Sequence, residues 1–181
     1  TDIEFVHQGL RATSVMLRSA GDKWLDDVRL VGAGREIGRV RIGFDGEGWQ
    51  RVSFVPPGPL DPWTAKTIAL DAPYDAFPAT ADGFATAKVW RGGMIDNTPV
   101  VVLRFTTEWG ATILESYDAK SFLLLRRELD LPMNDEGARM QETRTFAEYK
   151  KVGGLMIPHR IEVESTQGKV IAKVTRVQLD V

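Results

Sequence analysis

Between Ala111 and Val181, apolar and polar residues alternate in run after run, and only short turn signals separate the runs. Ala111 to Tyr117 turns at Asp118-Ala-Lys-Ser121 into Phe122 to Glu128, and a polar loop at Asn134-Asp-Glu-Gly137 leads to Gln141 to Lys150. Gly153-Gly154 and Thr166-Gln-Gly168 then set off Ile157 to Glu164 and Lys169 to Val181. Ile161 and Val163 alternate with Arg160, Glu162 and Glu164; Val170, Ala172 and Val174 alternate with Lys169, Lys173 and Thr175. A period of two gives each strand one dry and one wet face. Parallel neighbours need a crossover of about a dozen residues, which these turns do not hold, so the strands must pair as an antiparallel meander.

The first half reads in the same way. Ile3 to Ala12, Ser14 to Ala20, Lys23 to Val31 and Glu36 to Asp45 form four strands, with breaks at Gly21-Asp22 and Gly32-Ala-Gly34. Val40, Ile42 and Phe44 face one way, and Arg39, Arg41 and Gly43 the other. Asp45-Gly46 tolerates the positive φ of a tight hairpin, and Gly48 to Val55 returns with Trp49 at its start. Between Leu60 and Thr86 the pattern changes: Pro62 near a first turn, with Trp63, Thr67 and Leu70 at helical spacing, marks a short helix, and Pro73 and Pro78 break the rest of the segment into short pieces. Strand character resumes in Phe84 to Arg91 and Thr98 to Trp109, with Gly92-Gly93 as the hairpin loop and Val100-Val-Val-Leu103 apolar enough to be buried on both faces. The order is about five strands, a helical insertion and about six more strands. With no repeat, low-complexity tract or linker, it predicts a mostly β (α+β) chain, residues 1–181 forming one domain around a large curved antiparallel sheet.

Several function classes find no support. The chain has 181 residues and a formal net charge of -2 with both signs interspersed, so it lacks the clustered positive charge of a nucleic-acid binder. No apolar run approaches the ~20 residues of a spanning helix. Cysteine is absent, which removes disulfides, thiolate metal sites and a cysteine nucleophile. His7 and His159 are the only imidazoles, too few for a zinc site without further ligands at workable spacing, and no metal or cofactor is expected. No serine stands on a strand-to-helix elbow, and Gly32-x-Gly34 and Gly43-x-x-Gly46 are not followed by helix as a phosphate-cradling loop would be. The carboxylates, among them Asp26, Asp27, Glu108, Glu115, Glu128 and Glu148, mostly alternate with apolar residues as a solvated face requires, so no catalytic group is assigned and the chain is read as non-enzymatic. A hydrolase using converging acids is the enzymatic rival.

The aromatic set is more informative. Trp49, Trp63, Phe77, Phe84, Trp90, Phe105 and Trp109 fall on or beside the helical insertion and the central strands. Core packing is the plain reading of such a set. The alternative is that so large a sheet, with one short helix, cannot fill its own hollow, and an under-filled apolar hollow takes a ligand. On that reading Trp49, Trp63, Leu70, Phe77, Trp90, Phe105 and Leu114 line it, and the Leu60 to Thr86 segment is a lid.

Three segments carry a family likeness. Phe44-Asp-Gly-Glu-Gly-Trp49, Tyr117-Asp-Ala-Lys-Ser-Phe-Leu-Leu-Leu-Arg-Arg-Glu128 and Phe146-Ala-Glu-Tyr-Lys-Lys-Val-Gly-Gly-Leu-Met-Ile-Pro-His-Arg160 resemble, in order, motifs of the outer-membrane lipoprotein-sorting family in the LolA/LppX-like superfamily. The amphipathic helix which that family places before its first strand has no counterpart here. The resemblance implies an incomplete antiparallel barrel with a short helical segment over its concave face. It also implies a role in holding a lipid, an acyl chain or a lipoprotein in the periplasm or another extracytoplasmic compartment. Because the chain opens at Thr1 without methionine, any leader or membrane anchor is expected upstream of it. The other function kept open is an accessory domain that docks an envelope protein partner or a fused peptidase.

Overall fold

The computed structural model describes residues 2–7, 10–19, 23–56, 60–70, 84–166 and 168–178. Among the described residues, twelve strands and one helix follow in chain order: β1 (Asp2–His7), β2 (Leu10–Arg18), β3 (Trp24–Gly32), β4 (Arg35–Phe44), β5 (Gly48–Val52), α1 (Pro62–Leu70), β6 (Thr86–Ile95), β7 (Thr98–Thr106), β8 (Thr112–Asp118), β9 (Leu124–Pro132), β10 (Arg139–Val152), β11 (Leu155–Ser165) and β12 (Gly168–Arg176). Hydrogen bonding orders them β5-β4-β3-β2-β1-β12-β11-β10-β9-β8-β7-β6, a large antiparallel sheet that is not closed into a barrel.

Two boundaries depart from expectation. The first expected break lay near Thr13, yet Thr13 sits within β2, paired with Glu4 and Arg29, because β1 ends at His7 and β2 starts at Leu10. Gly92-Gly93, expected as a hairpin loop, lies inside β6, and the chain reverses at Asp96-Asn97 instead. Both turn residues take positive φ, 44° and 65°, the geometry whose twist matches the flanking strands and which Asp and Asn tolerate. A paired glycine permits a turn without requiring one.

The helix starts as its sequence dictates. The Asp61 carboxylate accepts the backbone N–H groups of Trp63 at 3.0 Å and Thr64 at 2.9 Å, and also the Thr64 hydroxyl. Those bonds hold the carboxyl below the usual carboxylate range, the Thr64 hydroxyl first. Pro62 occupies the first helical position, where its missing N–H costs nothing. The expected Pro73 and Pro78 breaks lie outside the described residues.

By its contacts the chain groups into two compact units. Unit 1 is Thr1–Asp75 with Val170–Val181, and unit 2 is Ala76–Lys169.

Candidate functional site

In unit 1 the sheet has two unlike faces. Residues directly opposite across antiparallel strands share a face. Trp24 pairs with Phe44, Asp26 with Ile42 and Val28 with Val40, and α1 lies on this side: Ile68 and Trp24 form a buried cluster with Ile42, Phe44 and Leu60 packed around it. The helix packs on β4 and β5. Gly48 lets it approach, since a Cβ there would meet Ala65 O at 3.1 Å and Ile68 Cγ2 at 3.2 Å. Towards β2 the same face carries Ala12, Ser14 and Met16, and the Ser14 hydroxyl donates to the Asp26 carboxylate.

The other face of unit 1 carries Thr13, Arg29 and Arg39 in one row, Val15, Asp27, Arg41 and Arg51 in the next, and Leu17, Leu25, Gly43 and Trp49 in a third. Gly43 makes room for the indole, because a Cβ there would lie 2.5 Å from Trp49 Cζ2. Asp27 accepts Arg39 Nε at 2.6 Å as well as Arg39 Nη2, and Arg41 Nε lies 3.4 Å away. The Arg39 hydrogen bond holds the Asp27 carboxyl below its ordinary range, and the Asp27 carboxylate in turn raises Arg39.

In unit 2 one face collects Phe105, Ile113 and Leu129, and beside them Leu103, Glu115, Arg127 and Arg144 stand in a row across β7 to β10. Glu115 is only 2% exposed. It accepts Arg127 Nη2 at 2.6 Å and Nε at 2.8 Å, and the Tyr117 O–H donates to its second oxygen at 2.5 Å. Burial, reinforced by the Glu115 charge, pushes the Tyr117 phenol far above its ordinary value. Arg144 donates to Glu142 on the same strand.

Three solved structures match almost the whole chain. A LolA superfamily protein from Nitrosomonas europaea aligns with TM-score 0.62 and 16% identity over 99% of this chain and 83% of its own. The outer membrane lipoprotein-sorting protein domain from Vibrio parahaemolyticus gives 0.58 and 15% over 98% and 83%, and a DUF1329 family protein from Desulfovibrio piger 0.59 and 10% over 99% and 83%. The fold is LolA-like. No protein-family model and no curated protein matches the sequence itself.

Each segment behind the family likeness has a structural task in this LolA-like chain. Phe44 to Trp49 is the β4–β5 hairpin that puts Phe44 under α1 and Trp49 over Gly43 on the other side. In Tyr117 to Glu128, the Asp118 carboxylate accepts the N–H groups of Lys120 at 2.7 Å and Ser121 at 3.2 Å, and these bonds lower its pKa. The same segment supplies Tyr117 and Arg127 to the buried Glu115. In Phe146 to Arg160, the Tyr149 hydroxyl donates to Leu124 O, His159 Nδ1 lies 3.0 Å from Ile157 O, and Gly153-Gly154 makes the turn.

The residues expected to line a hollow are not gathered on one surface. In unit 1, Trp63 and Leu70 belong to α1, whereas Trp49 lies on the sheet face away from that helix. In unit 2, Phe105 is buried at 5% exposure and meets Phe84 with ring centroids 5.3 Å apart. Leu114 pairs with Arg104 on the opposite face. Trp90 is 45% exposed, with Lys88 Nζ 5.1 Å and the Arg104 guanidinium 4.7 Å from its ring centre. Phe77 lies outside the described residues. Glu115, expected among the solvated carboxylates, is a correction: strand alternation sets it on the side of Ile113 and Tyr117, and that side is the core. The i, i+2 spacing of Ile113, Glu115 and Tyr117 is the sequence signal that marks it.

Proposed function

We propose that this chain is a non-enzymatic, extracytoplasmic binding or carrier domain that holds a lipid, acyl chain or lipoprotein against an apolar sheet face. The observation that carries the reading is the α1 side of unit 1, where Trp24, Val28, Ile42 and Phe44 share one face while a nine-residue helix packs on β4 and β5. A LolA-like fold supports it, since a LolA superfamily protein and an outer membrane lipoprotein-sorting protein domain are among the matching structures. Each methylene taken from water contributes ~0.8 kcal/mol, so a long acyl chain would gain on the order of 10 kcal/mol before ordering costs offset much of it. Trp63 and Leu70, carried by α1, are the proposed contacts on this side; Trp49 is not among them, because it lies on the sheet face away from that helix.

Native mass spectrometry of gently purified protein, with lipid extraction, tests this directly. Bound acyl species are expected, together with displacement of the fluorescent fatty acid cis-parinaric acid and weaker probe binding in Phe44→Asp. Protein that is always empty and does not take up the probe would overturn the reading.

An accessory, partner-docking role is the second reading, favoured by β6. It ends the strand order and is exposed along nearly all its length, with Val89 at 69% and Met94 at 62%. Terminal strands with free edges accept partner strands. Retention of a defined envelope protein by lipid-free chain would favour it.

A further inference from the structure

The sheet face of unit 1 that points away from α1 holds more positive charge than its own fold uses. Arg29 stands directly opposite Arg39, and Arg41 directly opposite Arg51. Arg11 lies on the same face, opposite Val31, and Val31 also pairs with Glu36. On β2 to β5 five arginines therefore face Asp27 and Glu36, a surplus of three positive charges (5 − 2) on those four strands of a chain whose total is -2; in the next strands the register adds Asp2 opposite Val15, Glu4 opposite Thr13 and Lys173 opposite Glu4. Like charges directly opposite one another destabilise a sheet, so this pattern works against stability. Asp27 satisfies Arg39 and approaches Arg41, whereas among the described residues no hydrogen bond or ion pair holds the Arg29 or Arg51 side chain, and both are exposed.

The third row of that face is apolar. Leu17 is 55% exposed, Val15 beside it in the second row is 39% exposed, and the Trp49 indole lies over Gly43. Guanidiniums match phosphate oxygens with two parallel donors, and an indole among aliphatic groups suits the boundary between headgroup and acyl layers. An acidic protein would meet the charges but gain little from Leu17 and Val15 standing at the edge of the array. A nucleic acid would want cations along a groove and not a broad sheet face with greasy neighbours.

We propose that the Arg29/Arg39/Arg41/Arg51 face, with Leu17 and Trp49, docks this domain on the surface of an anionic phospholipid membrane. It does not depend on what the α1 side holds, because strand alternation puts the two functions on opposite faces. Surface attraction is worth about fivefold in partition per basic residue, and it weakens with salt.

The test is sedimentation of the whole chain with phosphatidylcholine vesicles, with and without phosphatidylglycerol. Binding is expected only to the phosphatidylglycerol vesicles, falling as salt is raised. Arg29→Ala combined with Arg51→Ala should weaken it about 25-fold while thermal stability stays level or rises, because like-charge contacts are removed. Leu17→Ser should weaken binding without changing its salt dependence. Equal binding to both vesicle types, wild-type binding by the double variant, or capture by an acidic protein with no vesicle binding would each overturn the proposal. A chain that carries lipid but ignores vesicles would sink this proposal and leave the carrier reading standing; an empty chain that still binds vesicles would do the reverse.

Discussion

In unit 2, Arg127 and Arg144 stand side by side on a face shared with Phe105, Ile113 and Leu129, and each has a carboxylate within hydrogen-bond reach. On the α1-remote face of β2 to β5 in unit 1, five arginines stand with Asp27 and Glu36 and stay in partial or full contact with water. Strand pairing sets arginine opposite arginine in both places. Where the face is buried the charges balance, because an uncompensated ion away from water costs several kcal/mol. Where water reaches, screening keeps the surplus cheap enough to persist, and it remains available to an outside anion.

The largest effect that could break this contrast is the loss of one buried partner. Arg127→Met alone strands Glu115 at 2% exposure and should cost about 3–5 kcal/mol in denaturant unfolding. Combining it with Glu115→Leu should restore most of the loss. If the single variant cost no more than a surface change, the claim that burial enforces balance would be wrong.

Next in size, Tyr117→Phe removes the donor to the second Glu115 oxygen and should cost about 1–3 kcal/mol. A spectrophotometric titration sharpens the point. The wild-type Tyr117 phenol should resist ionisation until the chain unfolds, since its folded value lies above the unfolded one.

Asp27 should matter less and in a pH-dependent way. Its folded carboxyl sits below the unfolded value, so its contribution is fully present above the unfolded range of ~4 and is lost as the pH falls through the folded value. The stability gap between wild type and Asp27→Asn, followed by thermal melts, should therefore close on acidification. A gap that widened in acid would contradict the Arg39 pairing.

Smallest of all, Arg29→Ala should leave stability level or raise it by up to about 1 kcal/mol, because Arg29 stands directly opposite Arg39. A clear loss would mean that Arg29 serves the fold and not an outside partner.

Much of this architecture was legible in the residues. The short turns after Asp118 and Gly153 impose antiparallel neighbours, and Asp61-Pro62 announces α1 with a cap and a first-turn proline. Gly92-Gly93 misled because two glycines only permit a reversal, while Asp96-Asn97, free to take positive φ, made it. The lining was less legible: Trp49 and Phe44 sit five residues apart on one hairpin yet end on opposite faces, and aromatic content alone does not separate them.

Alternation within one strand depends on backbone geometry alone, so the chain by itself determined that Arg39 and Arg41 point one way and Ile42 and Phe44 the other. Register decided the rest. Only the pairing of separate strands set Arg29 against Arg39 and Arg41 against Arg51, and only the burial of β8 among its neighbours made Glu115 an interior charge. The physical reason is that a slip of one residue in any hairpin would send every side chain of that strand to the other face, and the sum of turns and packed neighbours excludes that slip.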